Sequence, residues 1–534
     1  LPTGEKQKDF ENDGLVMSSH VTVHSDTGLN AGSVNYSIDA NSDDLQGLIA
    51  TDRLTLLVGN KFTNHGQMVG GSLVNLEGDG TFDNEGDIHK SDLIESRLQG
   101  FDNKGVARAH HSVSFDQLMQ DLKNKGLILS EGRVSINSTS RVLNEGVIEG
   151  RDGETSLRAE ELENRGLLSA LGSPLVVTAT QAKNHHLIFG KKGVDLTIGK
   201  IFTNENGEDS AFGRVESHGS LTVQGKGSVH NKGSIASQGD ADIRTDLDNE
   251  GILRSAHDVV FSASDKALTN TGEILADETV RIATERPLEN TGLVQGQETS
   301  LAALGTFHNA GEILATNGQA LLTLGEGLNK GRVIGSEGVD ITVVKTLNNQ
   351  GHVLSPGSTV FHGTGSLENS ESGVLMGDKS LDISNLALEN KGLFGSARDL
   401  ALHHLQGPLQ NTASIISQGS IRIAETASVH NSGHIQGTTH TAVVVKELDN
   451  KGEISSLEGS VDLIVQKGAN REGSVIVART NLAVNAQTAF VNNGVMSGEA
   501  STTLNGERFT NHNLLQSRGA LKVDLQSLTN HKEI

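Results

Sequence analysis

The chain has no cysteine and no tryptophan, a single tyrosine and only 5 prolines among its 534 residues. Without cysteine there are no disulfides, no thiolate metal ligands and no cysteine nucleophile. The compartment stays open, since a secreted chain can dispense with cysteine altogether. No stretch approaches 18 uninterrupted apolar residues, so no segment reads as a membrane-spanning helix. The 43 basic side chains fall well short of the 66 acidic ones, and a net charge of -23 disfavours nucleic acid and anionic lipid surfaces as partners. Disorder is excluded too, because 35% hydrophobic residues together with 63 glycines make an ordinary globular composition. The chain opens at Leu1 with neither methionine nor a signal-peptide pattern, as expected of a processed product or an excised piece of something longer.

By length alone, at roughly 150 residues per domain, three or four domains are expected. Internal repetition overrules that. One pentad, apolar-x-Asn-x-Gly, returns throughout, as in Phe62-Thr-Asn-His-Gly66, Phe82-Asp-Asn-Glu-Gly86 and Leu288-Glu-Asn-Thr-Gly292. Its asparagine falls at Asn64, Asn84, Asn103, Asn124, Asn144 and Asn164, and later at Asn270, Asn290, Asn309 and Asn349, with a mean spacing of about 20 residues through Asn530. Asn12 and Asn30 fit the same spacing upstream, with a degenerate turn near Gly47. Two residues before the asparagine the position is apolar except at Gly327 and Gly468; four after, it is apolar except at Glu208, Gly373 and Ser474.

Ten to twelve residues after the asparagine comes a short alternating segment, such as Val280-Arg-Ile282 or Val461-Asp-Leu463, which is the signature of a half-buried strand. Helical periodicity is absent. Each unit therefore reads as about three short strands joined by tight turns, too small to close a core of its own but able to bury its inward face by stacking on the next. The expected fold is an all-β, right-handed parallel β-helix, the hand following from strand twist. The expected divisions are irregular first coils over 1–60, regular coils over 61–204, a coil with a loop insertion over 205–230, and regular coils over 231–534, where the array breaks off.

Stacked in register, the asparagines are expected to form a ladder, each amide bonding the next rung and the backbone of its turn. The glycine two residues later is expected where the backbone needs a positive φ, with Asn513 a tolerated substitute. The residue directly after the asparagine faces solvent. There Glu85, Lys104, Lys125, Glu145 and Arg165 succeed one another, so Glu145 sits between two cations. The interval from Asn204 to Asn231 holds about seven extra residues, and the resulting side loop makes Glu205, Glu208, Asp209, Phe212 and Arg214 candidate binding residues.

Catalytic and metal chemistry finds little support. Asp83 with Asp102, and Glu368 with Glu389, fall on neighbouring coils and have the makings of an acid/base couple or a calcium site. Neither has a third carboxylate in phase, and aromatic platforms for a glycan are scarce. The histidine doublets His110-His111, His185-His186 and His403-His404 are expected to point their rings to opposite faces of a strand. No phosphate-binding or nucleophile motif is present, so neither a cofactor nor a catalytic residue is assigned.

Units such as Leu268-Thr-Asn-Thr-Gly-Glu-Ile-Leu275 and Leu448-Asp-Asn-Lys-Gly-Glu-Ile-Ser455 resemble the haemagglutinin repeats of filamentous haemagglutinin and of contact-dependent inhibition filaments. The resemblance covers nearly the whole chain. It implies a secreted exoprotein at the outer surface of a Gram-negative cell, exported through an outer-membrane β-barrel partner of the two-partner type. The family's N-terminal secretion domain and any C-terminal toxin domain are missing, so the chain would be an internal portion of the shaft. The function so implied is a rigid stalk presenting an adhesive or toxic element, with no enzyme activity of its own and an unknown target-cell receptor. A receptor-binding adhesin acting through its own side loops is the alternative, and a glycan-cleaving β-helix enzyme a remote one.

Overall fold

Strands account for every regular element in the computed structural model, which describes residues 9–30, 47–207, 213–262 and 265–532 and contains no helix among them. The chain divides into two units, Leu1–Phe261 and Ser262–Ile534. Each is a parallel β-solenoid of roughly 20-residue coils. In the first unit one coil runs through strands Leu122–Asn124, Leu127–Ser130 and Arg133–Ser138. Each pairs in parallel with its counterpart one coil on, Asn124 opposite Asn144, Ser130 opposite Gly150 and Ile136 opposite Leu157. In the second unit Ile341 lies opposite Phe361, and Asn349 opposite Asn369, in the same manner.

The apolar position two before the asparagine forms an inward column. Phe62, Phe82 and Phe101 stack there with ring centroids 5.7 and 5.5 Å apart, and Phe490 stacks on Phe509 at 5.6 Å. Each such side chain contributes roughly 1.5–3 kcal/mol through burial. From Asn64 on, two glycines interrupt the column, and both make room for a neighbour. A Cβ on Gly468 would meet the Phe490 ring at 2.6 Å, and one on Gly327 would meet Leu347 at 2.9 Å.

The turn glycine does something other than expected. None of Gly86, Gly105, Gly126 or Gly331 has positive φ, nor does Asn513. The constraint is the coil below. A Cβ on Gly105 would stand 1.9 Å from the carbonyl oxygen of Gly86, which accepts the Val106 N–H at 3.0 Å. Glycine is required because two turn backbones approach too closely to admit a side chain, so the expectation of a left-handed residue is corrected.

A further column escaped the sequence reading. Six residues after the asparagine stands a small residue in coil after coil, such as Ser130, Gly150, Ala170, Gly190, Gly335 and Ser396. The chain turns sharply here, and a Cβ on Gly335 would lie 1.8 Å from the carbonyl oxygen of Gly338. At Ser355 in this column the hydroxyl donates to a backbone carbonyl of the coil below, Gly335 O at 2.8 Å.

Candidate functional site

The asparagine column runs inside the edge of each unit. Asn64, Asn84, Asn103, Asn124, Asn144 and Asn164 in the first unit, and Asn270, Asn290, Asn309 and Asn349 in the second, are fully buried. Asn64 Nδ2 donates to Asn84 Oδ1 at 2.8 Å, Asn84 to Asn103 and Asn103 to Asn124 at 2.7 Å, and Asn124 to Asn144 and Asn144 to Asn164 at 2.8 Å. In the second unit Asn270 donates to Asn290, Asn290 to Asn309, Asn309 to Asn329 and Asn329 to Asn349, each at 2.8 Å. The second amide hydrogen reaches a backbone carbonyl, as from Asn124 to Val147 O at 3.0 Å. The backbone carbonyl of the asparagine accepts from the next turn, in several coils from two N–H groups at once: Lys125 and Gly126 both donate to Asn103 O, at 2.7 and 3.1 Å. All these side-chain bonds point the same way along the chain, so neighbouring amides polarise one another.

The turn after the asparagine is where the coils vary. From Asn64 on, the strand restarts late at Arg214, Val374 and Val475. The three positions where an apolar residue is missing four after the asparagine, Glu208, Gly373 and Ser474, are these same turns. The inward residue returns further along as Val215, Leu375 and Ile476, all buried. Gly213, Gly373 and Ser474 then supply the carbonyl that the turn glycine otherwise provides, accepting from Ser234, Leu393 and Val495 at 2.9 Å. Beyond the expected insertion, two shorter ones stand among the described residues, each altering the spacing by no more than two residues. Of the candidate loop, Glu205 and Arg214 are described: Glu205 N donates to Asn184 O at 3.0 Å, and Arg214 pairs with Glu216. Glu208, Asp209 and Phe212 lie outside the described residues.

On the solvent side of the same turns in the first unit, Lys104 Nζ lies 2.7 Å from Glu85, and Glu145 lies 3.0 Å from Lys125 and 3.9 Å from Arg165. The bond from Lys104 holds the Glu85 carboxyl below its usual range. The acidic couples do stack, Asp83 opposite Asp102 and Glu368 opposite Glu389. Lysines occupy them. Lys61 Nζ is 2.5 Å from Asp83, and Lys391 Nζ is 2.9 Å from Glu368 and 3.0 Å from Glu389, whose hydrogen bonds raise the Lys391 ammonium.

Two histidine doublets contradict the expectation of opposite faces. The rings of His110 and His111 meet edge-on at 4.7 Å, and those of His403 and His404 at 5.2 Å. Both doublets sit where the coil bends, and His404 does so with φ of 52°, so successive side chains emerge on one side. Among the described residues no three histidine, aspartate or glutamate side chains gather as a metal ion would require, and no helix is long and apolar enough to cross a membrane.

No protein-family model matches the chain, and no solved structure matches it. It is similar to the deoxyribonuclease CdiA of Dickeya dadantii (strain 3937), with 27% identity over 437 residues. The matched stretch covers 79% of this chain and 12% of that relative, so the chain spans only a small part of the relative's length. A parallel β-solenoid of roughly 20-residue coils with this likeness fits filamentous haemagglutinin-like repeats.

Proposed function

We propose that the chain is a shaft segment of a secreted contact-dependent inhibition exoprotein, holding an adhesive or toxic element away from the producing cell. The observation that carries this is the inter-coil bonding of buried asparagines within each unit, where every coil is fixed to the next by side chain as well as backbone. At about 4.8 Å per coil, Asn64 to Asn249 extends roughly 40 Å and Asn270 to Asn530 roughly 60 Å. In this reading residues 61–204 and 231–534 supply regular coils and 205–230 one coil with a side loop. An outer-membrane β-barrel transporter of the two-partner type exports the protein to the bacterial surface. The lysine-held carboxylates serve as inter-coil ion pairs, and chemistry belongs to parts of the exoprotein outside these coils.

A shaft tolerates loss of whole coils. Deleting residues 125–144 from the full exoprotein should leave surface display and target-cell inhibition close to wild type, whereas deleting 135–144 should abolish display. Loss of inhibition with display intact after the whole-coil deletion would overturn the reading. The second reading, an adhesin acting through its own loop, is favoured by the length of the 205–213 turn. Removing 206–212 would then abolish target-cell binding, and on the shaft reading would leave it unchanged.

A further inference from the structure

In a chain of net charge -23, one edge of the second unit gathers cations. Where most turns after the asparagine are two residues long, Arg471-Glu472-Gly473 stands out as a longer one. Beside it lies a cleft of about 860 Å³ lined by Lys451, Arg471, Glu472, Asn493, His512 and Asn513, with Lys532. Register sets their order. Asn450, Asn470, Asn492 and Asn511 stack in successive coils, so Lys451, Arg471, Asn493 and His512, each the next residue, follow one another at about 4.8 Å. Their backbones are fixed: the N–H groups of Arg471, Asn493 and His512 donate to Asn450 O, Asn470 O and Asn492 O at 2.8, 2.7 and 2.8 Å.

Elsewhere along such turns a cation is consumed by carboxylates, as Lys391 is by Glu368 and Glu389. Here Asp449 takes only the Nε of Arg471, at 2.5 Å, and stands 3.9 Å from Lys451 Nζ. Arg471 lines the cleft together with Lys451 and Lys532, and Glu472 is the one carboxylate among the residues that line it. The rings of His512 and His531 stack at 4.6 Å and are within 2° of parallel.

We propose that this cleft binds an oxyanion of the phosphate class. The Arg471 guanidinium, the Lys451 and Lys532 ammonium groups and the Asn493 amide line it from successive coils, while Asn513 Nδ2 donates to Asn493 O at 3.3 Å, and a tetrahedral anion offers oxygens in several directions to such a set. The cleft is much larger than one phosphate, so the group arrives on a larger molecule, either a lipid headgroup or a soluble phosphate ester. The site is a local exception to the repulsive field of the whole chain and holds whether or not the chain serves as a shaft.

The test titrates the whole chain with pyrophosphate by calorimetry at low salt, and in parallel with phosphatidylcholine vesicles with and without phosphatidylglycerol. Arg471→Gln and Lys451→Gln should each weaken pyrophosphate about tenfold, the loss of one charge-assisted bond. Lys391→Gln should not, and unchanged melting of each variant shows the coils intact. Capture of the anionic vesicles, competed by pyrophosphate, assigns the lipid source; pyrophosphate binding alone assigns the soluble one. No binding of either probe overturns the proposal. So does wild-type affinity in Arg471→Gln and Lys451→Gln, or an equal loss in Lys391→Gln, which would leave only diffuse attraction.

Discussion

Along the turn that follows the asparagine the first unit sets carboxylates between cations, Glu85 between His65 and Lys104 and Glu145 between Lys125 and Arg165. The second unit has cations at this position too, Lys330, Lys391, Lys451 and Arg471, but places the uncharged Thr291, Ala310, Gln350, Thr412 and Ser432 at others. There hydroxyls reach the coil below, Thr412 Oγ1 donating to Asn390 O at 3.3 Å and Ser370 Oγ to Asn348 Oδ1 at 2.8 Å. In so repetitive an interior a slip by one coil costs little, and something outside the repeat has to forbid it. The first unit does so with charges that a slip would misplace. The second relies more on shape: the longer turns after Asn369 and Asn470 fit one coil each, and Gly327 and Gly468 match only the large side chains beside them.

If the interiors are equivalent, breaking the asparagine column should cost the same in both units. Asn144→Ala and Asn329→Ala each orphan a buried donor and a buried acceptor, at about 1–3 kcal/mol per group. Both should therefore lower stability by about 2–6 kcal/mol in denaturant titration, and a loss confined to one unit would separate their interiors. Next come Gly105→Ala and Gly331→Ala, where a methyl meets a carbonyl of the coil below at 1.9 and 2.0 Å. Each should cost about 1–3 kcal/mol.

That second pair also marks what could be read from residues alone. The 20-residue spacing, the inward phenylalanines and the outward charges were legible, because side-chain polarity and period suffice to place them. The reason for the turn glycine was not: a positive φ and a crowded carbonyl from another coil leave the same mark on a sequence. Nor were the short insertions after Asn369 and Asn470, since two extra residues hide within the natural scatter of the period. The small residues at Gly150, Ala170 and Gly190 escaped notice because glycine, alanine and serine share size but neither polarity nor hydropathy. The histidine doublets misled because alternation along a strand fails where the coil bends.

Smaller effects separate the two surfaces. Burial pushes the Glu163 carboxyl up, but bonds from Arg141 and Arg165, the latter at 2.6 Å, outweigh it and hold the group below its usual range. A carboxyl lowered by folding stabilises above its unfolded value, and the contribution is lost as pH falls through the folded one. Stability of the wild type should therefore drop below about pH 4 more steeply than that of Glu163→Gln, by a margin that acid titration can resolve. Least of all, Glu145→Lys should cost a few tenths of a kcal/mol at low salt and nothing at high salt. Thr291→Lys in the second unit should be silent at both; an equal effect there would erase the contrast between charge and shape.

The account stands or falls on successive coils lying one strand spacing apart with their turns in register. The absence of native cysteine makes this directly measurable, since spin labels can be placed on the exposed turn residues His65, Lys125 and Arg165 without removing anything. Five coils separate His65 from Arg165, so stacked turns place them about 24 Å apart along the axis, and Lys125, three coils from His65, at about 14 Å. Narrow distance distributions by pulsed electron resonance that grow by about 4.8 Å per intervening coil are the predicted result. Broad distributions, or separations that do not increase in step with the number of coils, would contradict it.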